Sequence, residues 1–354
     1  MKKITLIMAL ILLGFTALPA MAQTPTEATA SQSQTQAADA NDPSKMFPAE
    51  AEKAFKQIRD DPDPDALVRD AHYWISNENA HYVWYPHIKD LGGVISGVGT
   101  DQVYLLAGWS NASVIVPLDF DRKIRDLHFA YGVAFLSSQD TKEFIAFWKK
   151  DNADRVKELA QQYFPDRADD IFQAWKLARS NVQQRIRLVT KKYTSNEIPT
   201  FITDETQFNR IKQLWTNHRV FPVCGDLTGD KAMIDLAKAI NQSGLKLQIL
   251  YPSNAEHYFE YGPAYRRNII NLPFADNGLV LRTRQMRSLG LAEPEDYHYN
   301  MQTGENFKIW LQTTQIPNQH SMLKKRVKTK TEGLSILERV PDPSKVPPQI
   351  ALMP

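Results

Sequence analysis

The stretch from Gly92 to Asp121 constrains this chain more than any other. Gly92-Gly93-Val94-Ile95-Ser96-Gly97-Val98 reads as a short buried strand, and Gly97 and Gly99 then lead into a helix start at Thr100-Asp101-Gln102. A second apolar run, Val114-Ile115-Val116-Pro117-Leu118, ends in Asp119. Parallel strands need a crossover, usually a helix, to bring the second alongside the first. Strand, glycine turn, helix, strand and terminal acid are therefore one unit of a parallel α/β sheet, with the turn and the acid at the edge where such sheets bind ligands.

The rest of the chain repeats that alternation. Ile124, Leu127, Tyr131 and Phe135 recur at helical spacing after Asp121. From Thr141 to about Lys191 the chain is polar and helical, anchored by Trp148, Phe164, Phe172 and Trp175, and reads as an insertion. Ile198–Ile202, Val220–Cys224, Leu245–Tyr251, Leu279–Arg282 and Ile309–Leu311 are expected as strands. Thr203 or Asp204 caps one helix, and Gly244 ends another that starts near Asp230. The fold class is α/β: a Rossmann-like, mostly parallel sheet with helices on both faces. Pro48 and Pro64, the latter preceded by the capping Asp63, suggest a helical N-terminal lid, with Tyr73, Trp74, Tyr82, Trp84 and Tyr85 packed on the sheet. The domain is expected over 46–320, followed by a basic and proline-rich tail over 321–354.

Lys2 and Lys3, an apolar run from Ile4 to about Leu18, and Ala20-Met21-Ala22 form the pattern of a cleaved export signal. The expected location is periplasmic or secreted. Residues 23–45, rich in Thr, Ser, Gln, Ala and Pro, read as a flexible tether. No later stretch is apolar and long enough to cross a bilayer. The chain has 42 Lys and Arg against 40 Asp and Glu, so losing Lys2 and Lys3 balances the charge. Balance gives no electrostatic reason to expect nucleic acid or an anionic membrane as the main partner. Cys224 is the single cysteine, which rules out an internal disulfide.

Two details refine the glycine turn. A dinucleotide site wants Gly or Ala three residues after Gly99, and Gln102 stands there. Asp101 would also oppose a phosphate at the helix N-terminus. A neutral nucleoside or a cationic sulfonium fits better. Asp119 is compatible with two roles, accepting hydrogen bonds from ribose hydroxyls or capping the next helix. Asp226 and the Asn254, Glu256 and Tyr258 group follow two further strands, although Ser253-Asn254-Ala255-Glu256 also fits a helix cap. Gly108-Trp109-Ser110-Asn111-Ala112 lacks the second glycine of a nucleophile elbow. There is no phosphate-loop lysine and no His-Glu-x-x-His pair. His128 reads as a satisfied core histidine and Cys224 as a packed one.

Together, Gly97-Val98-Gly99-Thr100-Asp101-Gln102, Leu118-Asp119-Phe120-Asp121, Pro222–Gly229, Tyr251–Tyr258 and Leu281-Arg282-Thr283 resemble an uncharacterised bacterial family with a class I methyltransferase-like fold. The resemblance covers about Leu91 to Thr283. It implies a Rossmann-like sheet and brings no established reaction. On this reading Gly97, Gly99, Asp101, Gln102 and Asp119 form the cofactor side, with S-adenosylmethionine as the cofactor to test. Asn254 and Arg282 face a second substrate, and Asp226, Glu256 and Tyr258 do acid–base work. The expected function is an exported, methyltransferase-like protein that binds a small molecule. The alternative is a non-catalytic periplasmic binding or structural module that keeps the fold.

Overall fold

A computed structural model describes residues 38–289 and 297–342. The expected signal segment, most of the tether and the end of the expected tail lie outside the described residues. The strands are β1 (Val94–Val98), β2 (Val114–Asp119), β3 (Val223–Cys224), β4 (Leu247–Ser253), β5 (Phe274–Gln285), β6 (Tyr297–Thr303), β7 (Val327–Lys328) and β8 (Leu334–Leu337). The helices are α1 (Ala49–Lys56), α2 (Tyr85–Ile88), α3 (Gln102–Ser110), α4 (Arg122–Ser137), α5 (Thr141–Phe147) and α6 (Ala153–Tyr163). They continue with α7 (Ala168–Ser195), α8 (Glu205–Thr216), α9 (Ala232–Gln242), α10 (Pro263–Ile270), α11 (Gly304–Leu311) and α12 (Gln319–Leu323).

Successive side chains along a strand point to opposite faces, so an apolar run buries both. Val94, Val114, Val116 and Leu247 pack to one side with α1 and α9–α12. Ile95, Ile115, Ile249 and Leu281 pack to the other with α2–α8. The result is a sheet between two helical layers, and the expected insertion forms α5–α7 on the second face.

The strand order is β3-β2-β1-β4-β5-β6-β8-β7. Strands β1 to β5 are mutually parallel. β6 turns back antiparallel to β5, β8 runs parallel to β6, and β7 closes antiparallel to β8. The order β3-β2-β1-β4-β5 is that of a doubly wound sheet, whose connections reverse direction between β1 and β4. That reversal opens a crevice at the strand ends.

Several local expectations change. Ile309–Leu311 belongs to α11, because Thr303 caps the helix at the N–H of Asn306 and Phe307, Trp310 and Leu311 share one buried face. Ile198–Ile202 is a turn tied by the Thr200 and Thr203 hydroxyls. No helix follows Pro64, and Asp63 instead accepts from Arg122 Nε at 2.8 Å. The segment that covers the sheet is mostly irregular, with single 3₁₀ turns at Val68–Asp70 and His81–Trp84. At the other end, the expected tail supplies the end of α12 together with β7 and β8, so the sheet extends beyond residue 320. Part of the expected tether is also held, since Arg219 donates to the carbonyls of Asp39, Ala40 and Lys45. No helix among the described residues is long and apolar enough to cross a membrane.

Candidate functional site

The crevice expected from the strand order is present. Val98-Gly99-Thr100 after β1, Asp119-Phe120-Asp121 after β2 and Ser253-Asn254-Ala255 after β4 line one cleft. The strap from Leu67 to Asn77 supplies the opposite wall, and Tyr258, Gln285 and Tyr297 complete it. The rings of Tyr73 and Tyr258 at this cleft are 43% and 53% exposed.

The glycine turn is built for close packing against the chain itself. Gly99 has φ +103°, and a Cβ there would collide with the Gln102 side chain. Gln102 Oε1 accepts from the Thr100 N–H at 3.0 Å and from its hydroxyl at 3.1 Å. In a phosphate-binding turn those N–H groups would face an anion. Here Gln102 takes that place. His128 fixes the turn from below: its Nε2 donates to the Gly99 carbonyl at 2.8 Å, while Nδ1 accepts from the Tyr104 hydroxyl at 3.0 Å. Burial brings this imidazole down to about 4, so it stays neutral in that tautomer.

Asp119 stands at the cleft wall and is 9% exposed. It accepts from the Asp121 N–H at 2.9 Å. The helix cap is Asp121, whose carboxylate accepts from the Lys123 N–H and pairs with His72 Nδ1 at 2.6 Å. Burial pushes Asp119 up to about 7, and backbone N–H groups of Asp121, Gly99 and Phe120 only partly offset this. Among the described residues no Lys, Arg or His is paired with Asp119 directly. A buried carboxyl of this kind is ready for a hydroxyl-bearing or cationic partner.

Of the residues singled out from sequence, Gly99, Gln102, Asp119, Asn254 and Tyr258 meet at the cleft. Gly97 lies beneath it, where a Cβ would press within 3.2 Å of the Tyr251 ring. Asp101 turns away and forms a fully buried ion pair with Arg185 of α7 at 2.9 Å. Asp226 follows β3, at the sheet edge two strands from β1, and its exposed carboxylate only closes a turn with Thr228. Glu256 and Arg282 are buried and paired with each other at 2.7 Å on the other face. Glu256 also accepts from the hydroxyls of Tyr261 and Tyr265, and Arg282 stacks over Phe307. These two residues hold α10 and α11 to the sheet; neither lines the cleft. Burial pushes the Cys224 thiol up to about 12, in keeping with a packed cysteine.

Glu78, just after the strap, carries no sequence signal of its own and is fully buried. Its Oε1 accepts from Ser253 Oγ at 2.6 Å and Thr283 Oγ1 at 2.5 Å. Its Oε2 accepts from the Tyr251 hydroxyl and from His81 Nε2 at 3.2 Å. Burial pushes this carboxyl up, but the surrounding donors, His81 first, more than offset it and keep the group below the ordinary carboxylate range. Among the described residues no three or more His, Cys, Asp or Glu side chains are grouped to hold a metal ion.

A family model described as a domain of unknown function, DUF7790, matches residues 73–338, and the chain belongs to that family. The matched span runs from within the strap to β8, so it includes the strand-end residues of the cleft, Glu78 and the strands beyond residue 320, but not Leu67 to Ala71 of the cleft wall. No curated protein matches the chain.

Proposed function

We propose that this chain binds a small neutral or cationic molecule at the carboxyl ends of β1, β2 and β4, with an adenosine-bearing compound such as S-adenosylmethionine as the first candidate. The observation that carries the reading is Asp119, a carboxyl buried at the cleft wall with no cationic partner among the described residues. Ribose hydroxyls or a sulfonium would supply what it lacks. Gln102, folded into the glycine turn, argues against a phosphate-led ligand such as a dinucleotide. The exposed rings of Tyr73 and Tyr258 offer flat apolar surface at the mouth for a base. The export pattern at the N-terminus supports a site of action outside the cytoplasm, and N-terminal sequencing that begins at Gln23 is the check on that point.

Calorimetric titration with S-adenosylmethionine, S-adenosylhomocysteine and adenosine tests the reading. A charge-assisted hydrogen bond is worth on the order of 1.5–3 kcal/mol, so Asp119→Ala is expected to weaken binding roughly ten- to a hundredfold. Hydroxyl donors and cations engage the ionised carboxyl. With Asp119 at about 7, wild-type affinity should rise about tenfold from pH 6 to pH 8. Absence of wild-type binding at millimolar concentration for all three compounds would remove the adenosine reading.

A further inference from the structure

The floor of the cleft holds an arrangement that ligand binding by itself does not use. Ser253 ends β4 with φ +55°, a left-handed backbone that residues other than glycine adopt only at a cost. It lies where the strand gives way to the 3₁₀ turn of Ala255–His257, and it lines the cleft. A strained serine at a sharp strand-to-helix turn is how a sheet presents a nucleophile at its carboxyl edge.

The partner of Ser253 completes the pattern. Its Oγ donates to Glu78 Oε1 at 2.6 Å. Thr283, Tyr251 and His81 hold the same carboxylate in position. An ionised carboxylate only accepts, so the Ser253 hydrogen points at Glu78 and the oxygen lone pairs point elsewhere. Thr283 shares Oε1 with Ser253 but does not line the cleft. A nucleophile within hydrogen-bond reach of a base, with the base oriented by further groups, is the signature of covalent catalysis.

We propose that Ser253 is a nucleophile and Glu78 its general base, acting on an uncharged carboxylic ester bound in the cleft. Ser253 Oγ attacks the ester carbonyl carbon while its proton passes to Glu78 Oε1. The bond from that carbon to the leaving oxygen breaks, and the leaving alcohol takes the proton from Glu78. Water then attacks the acyl-serine and gives one proton to Glu78. The acyl–Oγ bond breaks, and Ser253 Oγ recovers that proton. The sum is ester and water in, carboxylic acid and alcohol out. Donors around Glu78 weaken it as a base, so acylation is expected to be slow and a reactive probe is the right test.

The inference rests on the cleft being the ligand site, though not on which ligand binds there. A fluorophosphonate, followed by peptide mass spectrometry, reads it directly. The expected result is an adduct on Ser253 in the native full-length protein, absent after heat denaturation and absent in Ser253→Ala. Glu78→Gln, if folded by circular dichroism, should slow the adduct at least about tenfold. The wild-type rate supplies a check that needs no variant. It should stay nearly flat from about pH 6 to 8, because Glu78 is already ionised. A rate falling about tenfold per unit below pH 7 would point to a histidine base and overturn the pair. So would an unlabelled Ser253 in the native protein, or equal labelling after denaturation. Nucleoside binding without an adduct removes the nucleophile alone; an adduct without nucleoside binding removes the adenosine reading alone.

Discussion

Asp119 is a residue the fold holds at a loss. Unfolded, its carboxyl titrates near 3.8; in the folded chain it is at about 7. As pH rises the unfolded chain releases this proton first, so the fold loses stability between about pH 4 and 7 and does not regain it above. Asp119→Asn is therefore expected to raise the melting temperature at pH 8 and to change it little at pH 4. The gain at pH 8 is at most about 4 kcal/mol, since one pKa unit is worth about 1.4 kcal/mol. His128 acts in the opposite sense: its folded value of about 4 lies below 6.5, so it costs stability as pH falls through that window. Comparing variant with wild type at each pH removes that contribution. A residue that destabilises the fold and whose loss weakens binding is one kept for its ligand. A drop in melting temperature at pH 8 would mean that Asp119 is structural.

The long helix α7 shows what the insertion does for the site. Arg185 reaches Asp101 at the start of α3, and its Nη1 donates to the Glu78 carbonyl at 3.0 Å and to Asn79 Oδ1 at 2.9 Å. Tyr193, two turns along, meets His81 Nδ1 at 3.2 Å. One helix thus ties the glycine turn to the end of the strap and braces the Glu78 cage. Removing one partner of a fully buried ion pair leaves an uncompensated charge and costs about 3–5 kcal/mol. Asp101→Ala is expected to lose that much in urea unfolding. The double variant Asp101→Leu, Arg185→Met should recover most of it, because well-packed apolar replacements often equal a buried pair. No recovery in the double variant would show that the Arg185 bonds to Glu78 and Asn79 matter more than the Asp101 pair.

At the scale of the whole molecule, the sheet depends on strands that do not advertise themselves. β6 is buried from Tyr297 to Gln302 although it carries His298, Asn300 and Gln302. Ser335 of β8 receives His298 Nε2 at 2.7 Å and Asn300 Nδ2 at 2.9 Å, and Gln302 Nε2 donates to Asn306. A chain ended after Lys330 loses β8, which removes the Ser335 partner of His298 and Asn300 and leaves the β6 edge open to other chains. The expected outcome is a lower melting temperature and aggregation on size-exclusion chromatography. A dispensable tail predicts no change in either measurement.

Sequence alone was enough for the core of this architecture. The apolar runs of β1, β2 and β4, the spacing in α4 and the polar helical insertion all follow from local periodicity, and periodicity is a property of neighbours along the chain. Gly99, Gln102, Asp119, Asn254 and Tyr258 were legible for the same reason, since each stands at the end of a recognisable strand or turn. What remained hidden was decided by distance in space. Asp101 and Glu256 looked like site acids until α7 brought up Arg185 and β5 brought up Arg282, each of which takes its carboxylate into a buried pair. β6 and β8 carry polar side chains that become core only when each satisfies the other. Glu78 and Ser253 are 175 positions apart. Only the folded sheet, with the strap laid across its strand ends, brings that carboxylate to that hydroxyl.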